Sequence, residues 1–99
     1  MERIVRHLSI RGKVQGVGFR YWAGRAARDY GIEGWIRNRR DGSVEIVVAG
    51  KPSAVEAMIE ACRRGPSTAR VTALNVTDAS DDELKARHAG EAFSELSTL

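Results

Sequence analysis

With one cysteine, Cys62, among its 99 residues, the chain can form no internal disulfide and no multi-cysteine zinc site, a composition that suits a reducing cytoplasm. No apolar run approaches the roughly 18 residues of a membrane span. The opening Met1-Glu2-Arg3-Ile4-Val5-Arg6-His7 lacks the apolar centre of a signal peptide. No Gly-Lys-Ser/Thr follows its glycine-rich loop, which excludes a Walker site there, and no further glycine completes a dinucleotide fingerprint. No cluster of carboxylates or histidines stands near that loop, so neither a metal nor another cofactor is expected. A chain of this length buries about two-thirds of the surface that its unfolded form exposes. The expectation is one cytoplasmic domain over residues 1–99.

What the chain has in quantity is positive charge near its start. The formal net charge is +3, but residues 1–40 hold ten Lys/Arg against three Asp/Glu, residues 41–77 balance, and residues 78–99 hold two against six. A basic first half draws anions toward any site it carries. A solvated charged face is the plainer account of the same count.

Within that half lies Gly12-Lys13-Val14-Gln15-Gly16-Val17-Gly18-Phe19-Arg20, which leaves a strand-like run, passes three glycines and reaches an arginine as a helical pattern begins. Glycines let backbone approach a ligand, N–H groups at a helix start carry partial positive charge, and arginine offers a planar fork of donors. Those features make an anion cradle. The alternative is a plain turn that joins a strand to a helix.

Along the chain, Leu8, Ile10 and Val14 alternate with His7, Ser9, Arg11 and Lys13, which predicts a half-buried strand over residues 6–14 with His7 on its solvated side. Phe19, Trp22, Ala23, Ala26, Ala27 and Tyr30 make a helical stripe over about residues 20–30, ended by Gly31 and Ile32. A second strand is expected over 34–38, then a hairpin cued by Asp41-Gly42, then a third strand over 43–49. Ser53 with Glu56 reads as a capping box for a second helix that Gly65-Pro66 ends, and Cys62 is in phase with Val55 and Ile59 as core. A fourth strand over 70–76 slips phase between Val71 and Leu74, which suggests a bulge. Residues 77–90 read as an exposed acidic loop or short helical turn, and 92–96 as a weak fifth strand.

The order βαββαβ predicts an α+β fold of ferredoxin-like type: an antiparallel sheet with two helices on one face and an extra C-terminal strand. The first helix travels roughly 16 Å away from the loop and the second strand returns roughly 20 Å. Asn38 should therefore lie at the same end of the sheet as Arg20. Its carboxamide suits the holding of a water, and it suits equally a turn before Arg39-Arg40-Asp41-Gly42. Arg37, Arg39 and Arg40 are expected in solvent, and Asp41 and Glu45 in hairpin roles.

Together, the Gly12–Arg20 loop, Gly34-Trp35-Ile36-Arg37-Asn38, Asp41-Gly42-Ser43-Val44-Glu45 and Gly65-Pro66 followed by Val71 resemble the acylphosphatase family, small enzymes that hydrolyse acyl phosphates. The resemblance covers roughly residues 8–76. It implies that Gln15, Gly16, Val17, Gly18, Phe19 and Arg20 bind phosphate, that Arg20 is catalytic, and that Asn38 positions the attacking water. It also implies a small-molecule acyl phosphate as partner; the residues themselves give no reason to expect a nucleic acid, a membrane or a metal, and a monomer is the default for a domain with no surplus apolar stripe. An RNA-recognition module shares the basic βαββαβ order, but its aromatic strands are missing here: residues 8–14 and 43–49 hold none. A non-catalytic anion-binding module and hydrolysis of carbamoyl phosphate are the other readings.

Overall fold

Apolar residues recur at every second position along the strands and at helical spacing between them, and the backbone follows those periods. The computed structural model describes residues 2–99. Strand β1 spans Ile4–Lys13, helix α1 Phe19–Tyr30, β2 Glu33–Asn38, β3 Val44–Gly50, α2 Pro52–Arg64, β4 Arg70–Asp78 and β5 Phe93–Glu95, with a 3₁₀ helix over Asp81–Ala86. The five strands lie in the order β4-β1-β3-β2-β5. β3 runs antiparallel to both β1 and β2, so those two are parallel to each other, as the ferredoxin-like pattern requires.

The core follows from the alternation. Leu8, Ile10, Ile36, Val44, Ile46 and Val48 face the helices and meet Phe19, Ala23, Ala27, Val55, Met58 and Cys62 in one cluster. Cys62 is core as expected, and burial pushes its thiol up to about 12. α1 ends as its sequence implies: Ile32 N–H donates to the Ala27 carbonyl at 2.8 Å and Gly31 N–H to that of Arg28 at 3.3 Å. The fourth-strand bulge is also present, for the register shifts where Arg11 pairs with Ala73 and Gly12 with Val71.

Several expectations need correction. α2 begins at Pro52 with Lys51 as its N-cap and no side-chain cap bond, so Ser53 is not the cap. Proline suits the first helical position because its fixed φ is already helical and the N–H it lacks would have no partner. The edge strand β5 pairs parallel with β2, so the sheet is not wholly antiparallel. Tyr30 ends the α1 stripe in solvent, and Gly24 takes a buried place instead.

The acidic segment takes the second of its two expected forms, a short helical turn. Its 3₁₀ helix lays Leu84 on the side of the sheet away from α1 and α2, against Val5, Trp35, Val47 and Ala49. The Trp35 indole donates to the Glu83 carbonyl at 2.6 Å. Trp35 is thus buried on that face and offers no ring on which a nucleic-acid base could stack. No helix among the described residues is long and apolar enough to cross a membrane.

Gly34 shows how closely β2 and β3 approach. At φ +149° it brings its Cα so near Val47 that a Cβ would stand 1.8 Å from that carbonyl oxygen. Because that neighbour is backbone, it has no rotamer by which to yield. Gly34→Ala is expected to lower stability by at least about 3 kcal/mol; an unchanged urea midpoint would show the approach to be looser than described.

Candidate active site

The loop that joins β1 to α1 is shaped by its glycines. Gly16 and Gly18 take φ +70° and +80°, a left-handed conformation that a Cβ strains. Gly18 is the N-cap of α1 and has no side chain to cap it, and no acidic residue occupies the first turn. The first intrahelical bond runs from Trp22 N–H to the Gly18 carbonyl at 3.0 Å. The earlier N–H groups of the turn have no intrahelical acceptor, and the helix dipole adds to their positive character. A small anion fits that position by charge and by hydrogen-bond supply.

Two side chains hold the loop in this shape from opposite sides. The Gln15 carboxamide donates to the carbonyls of Arg39 and Ser43, each at 2.7 Å, and so fastens the loop to the β2–β3 hairpin. The Thr68 hydroxyl donates to the Val17 carbonyl at 2.7 Å and fastens it to the segment after α2. Neither contact was legible from pattern, since both join residues distant in sequence. For Gln15 the sequence pointed only to the backbone.

Arg20, in the first turn of α1, and Asn38, the last residue of β2, line one pocket of about 180 Å³ with Val14, Gly16, Gly18, Phe19, Tyr21 and Glu95. Among the described residues the Arg20 guanidinium makes no ion pair and remains available to a ligand. Glu95 was not among the expected site residues. It arrives on β5, whose parallel pairing with β2 no local period announces. Gln15 and Val17 lie in the loop but do not line the pocket; they set its shape through the contacts just described.

A larger cleft of about 620 Å³ opens between α1 and α2, lined by Trp22, Arg25, Ala61 and Arg64 among others. It shares only Tyr21 with the small pocket and contains neither the glycine loop nor Asn38. The residues that the sequence singled out therefore gather at the smaller cavity.

Behind Asn38, on the opposite side of the sheet, Glu45 accepts from His7 Nε2 at 2.6 Å, from Arg37 Nε at 2.7 Å and from an Arg39 Nη at 3.4 Å. This corrects three expectations. His7 is a half-buried partner of a carboxylate, Arg37 is half-buried beside it with its guanidinium 4.7 Å from the Trp35 ring centre, and Glu45 is the hub of the group. Burial pushes the Glu45 carboxyl up, but the bonds from His7 and Arg37 outweigh it and hold the group below its ordinary value. Asp41 does keep a hairpin role: it accepts from Ser43 N–H at 2.9 Å and from its hydroxyl at 2.6 Å, bonds that lower its own pKa.

This arrangement has relatives. A family profile for acylphosphatase matches residues 6–89. An acylphosphatase of Rhodopseudomonas palustris (strain BisB5) is 52% identical over 99 residues, the full length of both chains. A crystal structure of acylphosphatase from Bacillus subtilis superposes with a TM-score of 0.80 at 33% identity, covering 94% of this chain and 98% of that one. The structure of an acylphosphatase from Coxiella burnetii gives 0.81 at 26% identity, covering 95% and 93%.

The Gln15 bridge lends itself to a direct check. Gln15→Leu removes one of two donors from each carbonyl, since the Arg39 carbonyl keeps the Gly42 N–H at 3.1 Å and the Ser43 carbonyl keeps the Arg39 N–H at 2.8 Å, and is expected to cost roughly 0.5–1.5 kcal/mol per bond in chemical denaturation. It should also weaken inorganic phosphate binding measured by calorimetry. Unaltered phosphate binding would mean that the loop keeps its shape without the hairpin.

Proposed function

The chain belongs to the acylphosphatase family, and from that premise we propose how its residues divide the work of hydrolysing an acyl phosphate. The enzyme is a hydrolase of acid anhydrides. Arg20 and the backbone N–H groups of Gly16, Gly18 and Phe19 hold the phosphoryl oxygens, Gln15 and Val17 support that loop, and Asn38 holds the water that attacks phosphorus. The observation that carries this reading is the convergence of Arg20, Asn38 and the left-handed glycines on a single pocket.

The chemistry asks little more of the protein. Attack forms a bond from water oxygen to phosphorus as the bond from phosphorus to the acyl oxygen breaks, and the electron pair leaves with a carboxylate. The conjugate acid of that leaving group has a pKa near ~4, so its departure needs no general acid. A phosphate oxygen of the substrate takes the water's proton. What remains is alignment of the water and stabilisation of charge on the equatorial oxygens. Arg20 and the loop N–H groups serve the second need, and the Asn38 carboxamide serves the first.

We further read residues 1–99 as one acylphosphatase-like domain that acts as a monomer in the cytoplasm. Support comes from the family match over 6–89, from a lone cysteine that is buried and unpaired, and from helix faces already packed on the sheet. Carboxyl phosphates are the substrate class this reading favours over carbamoyl phosphate. Phosphate release from benzoyl phosphate and from carbamoyl phosphate, measured side by side, discriminates the two.

Arg20→Ala is expected to lose both phosphate binding and turnover. Asn38→Ala should retain phosphate binding while turnover falls by roughly 3 kcal/mol in activation free energy, about two orders of magnitude. Near-normal turnover in Asn38→Ala would remove it from the water's path. Exhaustive chelation is expected to leave benzoyl phosphatase activity intact, and an activity that vanished and returned with magnesium would overturn the metal-free reading.

A further inference from the structure

We propose that Glu45, from the far side of the sheet, is a positioning residue for Asn38, and that its ion-pair group with His7, Arg37 and Arg39 fixes the direction in which the Asn38 carboxamide points. The inference rests on the reading that Asn38 holds the attacking water.

Asn38 is the last residue of β2, where pairing ends and a strand ordinarily frays. Side chains of successive strand residues leave opposite faces, so Asn38 is directed toward α1 only while Arg37 and Arg39 are directed away from it. Glu45 holds both neighbours. Arg37 stands directly across from it in the β2–β3 ladder, and its Nε donates at 2.7 Å; Arg39 reaches the same Oε1 at 3.4 Å. The other oxygen, Oε2, takes the His7 bond from β1 at 2.6 Å. Three strands are thus joined through one carboxylate whose side chain is only 17% exposed.

The burial matters because it separates this group from an ordinary surface pair. Surface ion pairs hold their geometry weakly, being screened and free to swing into water. Here the Arg37 side chain is 20% exposed and the His7 side chain 24%, and the Arg37 guanidinium also lies against Trp35, which the 3₁₀ helix covers. A carboxylate held by three donors on three sides restrains the β2 end in direction as well as in place. On the front face the backbone is held separately, by Gln15 on the Arg39 carbonyl and by Leu99 N–H on the Asn38 carbonyl at 3.2 Å. Those contacts set where the β2 end lies; the Glu45 group sets its twist.

The test compares Glu45→Gln with Asn38→Ala and with the double variant, reading kcat for benzoyl phosphate and the inhibition constant of inorganic phosphate. Glu45→Gln is expected to lower kcat about 10- to 100-fold, as a misdirected reacting group does. Phosphate inhibition should stay within about twofold, since Arg20 and the loop are untouched. In the Asn38→Ala background Glu45→Gln should have no further effect on kcat, which a general loss of structure would not spare. An unchanged kcat in Glu45→Gln, an equal loss with and without Asn38, or a matching rise in the phosphate constant would each overturn the proposal. Should Glu45→Gln not fold, Arg37→Met removes the Nε donor while keeping an apolar stem against Trp35, and the same cycle applies. If Asn38→Ala alone keeps full turnover, the water-holding role falls, an outcome distinct from a silent Glu45→Gln.

Discussion

The pairing of β2 with β3 admits one phase only. Ile36 sits among the buried side chains under the helices, Trp35 sits under the 3₁₀ helix on the other face, and a slip of one residue would exchange them. Apolar burial of both residues therefore locks the strand, and with it the face from which Asn38 emerges. Gly34 tightens the lock, since its close approach to Val47 allows no side chain at that step. The site is thus positioned first by hydrophobic phase and only then by hydrogen bonds.

Arg20 is placed by a different device. It follows Phe19, which is buried beneath α1 and meets Trp22 edge-on with ring centres 5.3 Å apart. The left-handed Gly18 turns the chain into that helix, so the arginine lies within the first turn, where unpaired N–H groups collect. Two independently anchored elements converge on the pocket, and Gln15 is the side chain that ties one to the other. Preorganisation of this kind suits a reaction whose leaving group departs unaided, because the barrier left to lower is largely one of alignment.

Much of this was legible in the sequence, for reasons that differ from element to element. The α1 stripe, the Gly31 stop and the hairpin at Asp41-Gly42 rest on local periods and backbone preferences, which short stretches record fully. Asn38 was placed at the same end of the sheet as Arg20 by length alone, from one helix out and one strand back. The Ser53 cap misled because Pro52 competes for the helix start and wins. β5 has three residues and a partner strand far away in sequence, so its direction has no local signature. Glu45 and His7 could not be read as a pair, because the burial that makes their contact firm is created by the assembled sheet. Leu84 is a single large apolar residue in an acidic segment, and only the far face of the assembled sheet, at Trp35 and Val47, gives it a place.

The layer that Leu84 completes has one more consequence. Trp22 lies on the helix side of the sheet and Trp35 on the other, and the chain has no third tryptophan. Each of the two packing layers thus contains a single indole, one bordering the helical cleft and one hydrogen-bonded beneath a short 3₁₀ cap. Their emission separates the two layers optically: loosening of the cap alters the environment of one indole while the other remains in native surroundings.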